Sequence, residues 1–181
     1  MTAPVEILYL ADCPEVLPAL ARWVCEEFGR FDPSKTVEGV ERMLRERLNR
    51  DRLPLTLVAF IGPKPVGSAS LQTLELPSHP QYAHWLGTVF VRRPHRNRGI
   101  GSRLVERAVQ EAERLGVREL HLHTPDRESM YARLGWTVVE RTRYRNQDVA
   151  IMRLELAGHG LAAPADEQPG ERGTRADSEV A

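Results

Sequence analysis

The sequence predicts an α/β or α+β domain, a sheet with helices packed on its faces. Three observations predict it. Helical and strand periodicities alternate along the chain. Glycine and proline clusters separate the periodic stretches. The resulting order is β-α-α-β-β-β-α-β-α-β-β, and the 181 residues suit one domain with one core.

Residues 5–10 are short and apolar and predict a first strand. Pro14 stands where a helix can begin. Val16, Leu17, Leu20, Ala21, Val24 and Phe28 then recur at helical spacing until Gly29. Pro33 and Ser34 open a second helix, with Val37, Val40, Leu44 and Leu48 on its apolar face. Apolar runs at 55–61 and 66–74 flank Gly62-Pro63-Lys64-Pro65, the pattern of a hairpin. Residues 76–83 contain two prolines and predict a loop, and 85–91 predict the next strand. A helix is expected over 102–115, with Leu104, Val105, Ala108, Val109, Ala112 and Leu115 on one stripe and Gly116 as its stop. Over 117–124, Leu120 and Leu122 alternate with His121 and His123, which fits a strand. Asp126 is expected to cap a short helix that ends at Gly135. Residues 136–143 and 149–156 predict two last strands. Past Leu156 the chain turns to Gly, Ala, Pro and charge, with no aromatic residue. Residues 1–156 are therefore expected to form the domain, and 157–181 a disordered tail.

Composition narrows the function. Lys plus Arg number 25, as do Asp plus Glu, so the net charge is zero. That argues against a nucleic-acid binder and against a protein held on anionic membrane. Two cysteines, Cys13 and Cys25, are too few for a disulfide framework or a zinc site and read as reduced thiols of a cytoplasmic protein. No basic segment followed by an apolar core opens the chain, and no apolar run reaches the roughly 18 residues of a membrane span.

The segment Val89-Phe90-Val91-Arg92-Arg93-Pro94-His95-Arg96-Asn97-Arg98-Gly99-Ile100-Gly101 carries the chemistry. It sets a strand, a basic loop with two glycines and a helix start in succession. The first turn of a helix has unpaired N–H groups at the positive end of its dipole. Glycines let a phosphate come close to that backbone, so the segment suits a pyrophosphate. It is no Walker loop, because Ser102-Arg103 follows Gly101 where Gly-Lys-Ser/Thr is needed. It is no dinucleotide fingerprint either, because Leu104 stands where the third glycine belongs.

Arg96-Asn97-Arg98-Gly99-Ile100-Gly101 resembles the R/Q-x-x-G-x-G/A signature of the GNAT superfamily of N-acetyltransferases. Glu128-Ser129-Met130-Tyr131-Ala132-Arg133-Leu134-Gly135-Trp136 is similar to that family's A-x-x-x-Y-x-x-x-G-F segment, with Trp for Phe and Glu128 at a usually small position. The resemblance covers residues 5–156. It implies a mixed, mostly antiparallel sheet of six or seven strands and about four helices, splayed into a V between the fourth and fifth strands. It implies acetyl-coenzyme A as acetyl donor. The pantetheine arm would pair with backbone near Val89, Phe90 and Val91, and the pyrophosphate would lie on Arg96, Asn97, Arg98, Gly99, Ile100, Gly101 and Ser102. The implied reaction is transfer of acetyl to a primary amine by direct attack in a ternary complex. The acceptor is a small molecule or peptide, and a homodimer is compatible with the pattern.

Such a reaction asks for a base, a polarised carbonyl and a weak acid, since a thiolate leaves readily. The resemblance assigns the acid to Tyr131, and an N–H near Phe90 or Val91 would polarise the thioester. Glu75, at the end of the third strand, is the candidate base or amine anchor, with His84 and His79 as alternatives. His121 and His123 form an H-x-H with no evident third ligand, and the chemistry needs no metal. Trp23, Trp85 and Trp136 read as core. A degenerate acyl-coenzyme A-binding module is the alternative function. The retained Tyr131 and the intact loop argue against it.

Overall fold

The computed structural model describes residues 4–29 and 32–157. The expected tail, apart from Ala157, lies outside the described residues. The elements are β1 (Val5–Tyr9), α1 (Leu17–Phe28), α2 (Val37–Arg45), β2 (Leu55–Ile61), β3 (Lys64–Thr73), β4 (His84–Val91), α3 (Ile100–Arg114), β5 (Glu119–Thr124), α4 (Glu128–Ala132), β6 (Thr137–Tyr144) and β7 (Gln147–Glu155). The order is the one read from the sequence. The strands form one seven-stranded sheet in the order β1-β2-β3-β4-β5-β7-β6. Every neighbouring pair is antiparallel except β4 and β5.

Two cores flank the sheet. On one face α3 and α4 bury Ile100, Leu104, Val105, Ala108, Ala112 and Tyr131 against Leu57, Leu71, Leu86, Leu120 and Leu122. On the other, α1 and α2 bury Leu17, Leu20, Val24, Val40 and Leu44 against Val58 and Phe60. A smaller cluster on that second face joins Trp85 to Leu76 and Ile151. Alternation along a strand divides the residues between faces. Leu86 and Leu122 meet α3, while Trp85, His121 and His123 face the opposite way.

Among the boundaries that differ from the sequence reading, three are helix starts near the site. The helix expected from Pro33 starts at Val37, because Thr36 caps it by accepting a hydrogen bond from the Gly39 N–H at 3.1 Å. Asp126 does not cap α4. The Thr124 hydroxyl instead accepts from the Arg127 N–H at 3.0 Å. The third helix begins at Ile100 rather than Ser102, which places Gly101 inside its first turn.

Candidate active site

The parallel strands β4 and β5 meet at a single residue pair, Trp85 and His121. Past it the strands diverge, and the sheet opens into a V whose walls are the later residues of β4 and β5. The bend in β4 has a local cause. Ser68 pairs with Phe90 and Ser70 with Gly87, so Thr88 and Val89 stand opposite Ala69 alone, and Thr88 takes φ +52°. Such a bulge bends its strand and re-aims the backbone. Gly67 allows the close approach behind it, since a Cβ there would lie 2.6 Å from the Phe90 carbonyl oxygen. The Arg92 N–H donates to the Val66 carbonyl at 2.9 Å, so by strand alternation the Val91 N–H points away from β3, toward the gap.

The loop after β4 turns sharply at Asn97, φ +60°, and Gly99, φ +75°. The first intrahelical bond of α3 runs from the Arg103 N–H to the Gly99 carbonyl at 3.1 Å. The amides of Ile100, Gly101 and Ser102 are therefore the unpaired donors of a helix start, at the positive end of a 15-residue helix. A Cβ on Gly99 would meet nothing within 4 Å, and one on Gly101 would meet only Val91 Cγ2 at 3.8 Å. The surface above these amides is open, and a phosphate fits it on chemistry and access alike.

The arginines of this loop divide. Arg98 is exposed. Arg96 folds back: its Nε donates to the Val91 carbonyl at 2.8 Å and its Nη2 lies 3.0 Å from Glu27 Oε2 on α1. Its guanidinium thus fastens the loop to β4 and α1. Arg92 stacks over Trp23 with its guanidinium carbon 4.6 Å from the ring centroid.

Tyr131 lies on the α3 face, 8% exposed and edge-on to Trp136 at 6.1 Å. The α4 helix that carries it starts directly after β5. Among the described residues, nothing hydrogen-bonds its hydroxyl. Burial pushes that hydroxyl up to about 12. It stays protonated at neutral pH and so keeps a proton to donate.

Glu75 lies on the opposite face. It follows Leu74, whose φ of +52° turns the chain at the end of β3. The turn lays the carboxylate over β4, where Glu75 Oε2 comes within 3.0 Å of the position a Cβ on Gly87 would take. Gln72 Nε2 reaches the same point at 3.1 Å. Glu75 Oε1 is 3.5 Å from His123 Nε2. Burial would raise the Glu75 carboxyl. The contact with His123 and then the charges of Arg47 and Lys35 outweigh it, and hold the group below its ordinary value.

The other candidate histidines, His79, His84 and His121, are occupied or lie away from Glu75. His79 is buried between Ser78 Oγ at 2.8 Å and Glu140 Oε1 at 2.9 Å. His84 opens β4 opposite Thr73, at the closed end of the V. His121 is stacked on Tyr82 at 4.2 Å, and burial lowers its pKa. Among the described residues, no three His, Cys, Asp or Glu side chains converge as metal ligands. No helix among them is long and apolar enough to cross a membrane.

Sequence reasoning missed three groups beside Glu75: Arg47, Gln72 and Lys35. One signal could have found Arg47. Val40, Leu44 and Arg47 are spaced four and three apart, which continues the buried stripe of α2 into a charged residue. Arg47 is only 7% exposed, and its Nη2 donates to Gln72 Oε1.

Residues 17–136 match the acetyltransferase (GNAT) family model. The chain belongs to the GNAT acetyltransferase family. Over 136 residues it is 33% identical to mouse N-alpha-acetyltransferase 80, a match that covers 70% of this chain and 40% of that protein. Solved structures share the fold. A GNAT-family acetyltransferase from Streptococcus pneumoniae superposes with a TM-score of 0.65 at 21% identity, covering 85% of this chain and 100% of that one. The yncA protein of Salmonella typhimurium, solved with its cofactor acetyl-CoA, has a TM-score of 0.65 at 19% identity, covering 90% of this chain and 99% of that one. This GNAT chain thus has the mixed seven-stranded sheet and the parallel, splayed β4–β5 pair that its motifs imply.

Proposed function

We propose that this GNAT chain is an N-acetyltransferase that moves the acetyl group of acetyl-coenzyme A to a primary amine, by direct attack in a ternary complex. The observation that carries the reading is the opening between β4 and β5, with Glu75 on one face of the sheet and Tyr131 on the other. Two substrates can meet through such an opening from opposite sides. The unpaired amides at the start of α3 belong to the Tyr131 side, and the pyrophosphate of the donor binds there, on residues 97–102. Val89, Phe90 and Val91 line the path of the pantetheine arm. The Val91 carbonyl is already taken by Arg96, so its N–H is the group left for the donor.

The roles follow from the chemistry. Glu75, ionised at neutral pH, takes the proton that the acceptor's ammonium must lose. The freed amine attacks the thioester carbonyl, whose oxygen gains charge that the N–H near Phe90 or Val91 stabilises. The C–S bond breaks, Tyr131 donates a hydrogen bond and then a proton to the departing sulfur, and the proton still on the acylated nitrogen passes to water, which returns one to Tyr131. A hydroxyl held near 12 does not yield its proton to a thiolate in advance, so its help is confined to the moment of bond breaking. A covalent acyl-cysteine is disfavoured at Cys13. Its thiol is buried against the Tyr9 carbonyl at 3.3 Å and raised to about 11 by burial and Glu15.

The test is release of free thiol from acetyl-coenzyme A across a panel of amino acids, polyamines, aminoglycosides and peptides. Intersecting initial-velocity lines are expected. Parallel lines would replace direct attack with a covalent intermediate, and thiol release with none of these amines would overturn the assignment.

A further inference from the structure

We propose that the acceptor carries a carboxylate close to its reactive amine, and that the guanidinium of Arg47 receives it. The inference rests on the reading that the Glu75 side of the V is the acceptor side.

Arg47 is a buried cation without an anion. It is 7% exposed, its Nη2 is held by the amide oxygen of Gln72, and its Nη1 is shielded from solvent with no hydrogen-bond partner. Among the described residues, no carboxylate lies within ion-pair distance of it. Glu75, the nearby acid whose charge it feels most, stands instead against His123 at 3.5 Å. A buried guanidinium with an unpaired N–H is costly in the free protein, and an anion that pairs with it removes that cost. Placement is the second observation. The Gln72 that holds Arg47 and the Glu75 carboxylate converge within about 3 Å of one point above Gly87. The base and the guanidinium are therefore within the span of one small molecule or one terminal residue.

The surroundings favour the same ligand. Lys35, half-buried beside the Phe28 ring at 5.9 Å, makes no ion pair among the described residues. Arg145 is spent on Asp32 at 2.7 Å. Arg47 and Lys35 both act on Glu75, and their charges attract an anionic acceptor. A free α-amino acid presents a carboxylate close to its amine, and so does a peptide whose first residue is Asp or Glu.

Matched acceptors test it: amino acids against their amides, and peptides beginning with Asp or Glu against the same peptides beginning with Asn or Gln. One of the two sets is expected to favour its carboxylate member by about 10- to 100-fold in kcat/KM, the size of a charge-assisted hydrogen bond. The set that responds identifies whether the carboxylate belongs to a free amino acid or to a side chain. Arg47→Met should bring the ratio close to one, and Arg47→Lys should keep part of it. The ratio is read within each variant, so a general loss of active protein cancels. Should Arg47→Met fail to fold, the wild-type ratio and its reduction in Lys35→Gln decide the matter. A wild-type ratio near one in both sets overturns the proposal, as does a preference that survives Arg47→Met. Acetylation of neutral amines in either case leaves the acetyltransferase reading standing. Thiol release with no amine at all defeats that reading first.

Discussion

The carboxylate of Glu75 lies 3.0 Å from the point where a side chain on Gly87 would begin, so the glycine of β4 makes room for the acid at the end of β3. Gly87→Ala puts a methyl group between Glu75 and Gln72. Both neighbours are the ends of flexible side chains, so the fold should survive with little loss of melting temperature. The carboxylate must move, and kcat is expected to fall by about 10- to 100-fold, the scale of a misplaced catalytic group. Steady-state kinetics beside a melting curve checks it. An alanine variant with wild-type kcat would separate Glu75 from the chemistry.

Glu75→Gln removes the charge and keeps the shape. As general base, Glu75 should contribute about 10²- to 10⁴-fold to kcat/KM, and the loss should be greatest at low pH, where the acceptor amine is most protonated. Stability carries an independent sign. The folded carboxyl titrates below its ordinary 4.5, so folding favours the ionised form. Its stabilisation is fully present above about pH 4.5 and is lost as pH falls through the lower native value. The Gln variant should therefore lose part of the wild-type acid sensitivity below that pH, measured by urea titration at several pH values.

Tyr131→Phe keeps the ring against Trp136 and removes a hydroxyl that no described protein group depends on. The melting temperature should barely change. With the hydroxyl acting on the departing sulfur, kcat should drop by about 10- to 1,000-fold, a range that discounts a good leaving group. Because the hydroxyl is held near 12, the wild-type rate should show no alkaline fall from its ionisation below about pH 11. A packing role alone predicts the reverse, a lower melting temperature with kcat intact.

The two loop glycines should separate into backbone and ligand effects. Gly99 sits at φ +75°, where any side chain costs about 1–2 kcal/mol. Gly101 is in helical backbone with room for a methyl group, so Gly101→Ala should leave the apo protein as stable as wild type or slightly more so. Acetyl-coenzyme A at 100 times its dissociation constant should stabilise the wild type by about 2.7 kcal/mol. Gly99→Asp and Gly101→Asp place bulk and like charge on the phosphate surface and should abolish that gain. A full ligand-induced shift in either Asp variant would move the pyrophosphate elsewhere.

Gly67→Ala is expected to destabilise by about 1–3 kcal/mol, since its methyl group would meet the Phe90 carbonyl of β4 at 2.6 Å and neither backbone can yield easily. Denaturant unfolding measures it. A neutral result would mean that the bulge at Thr88 absorbs the strain.

By itself, the sequence determined the order of elements, the loop and helix start at Arg96 to Ser102, and the position of Tyr131. These are properties of contiguous residues, where period, glycine placement and a helix terminus can be read from neighbours along the chain. It also singled out Glu75, but only as an acid at a strand end. The tertiary structure alone decided what Glu75 meets, because Arg47 comes from the turn after α2 and Gln72, Gly87 and His123 from three different strands, and they share no spacing. It likewise turned Arg96 away from the open loop surface, since Glu27 on α1 and the Val91 carbonyl offer its guanidinium fixed partners that local sequence cannot announce. Local backbone preferences act over a few residues and are written in order. Charge pairing and burial depend on distance through space, and only the folded sheet sets those distances.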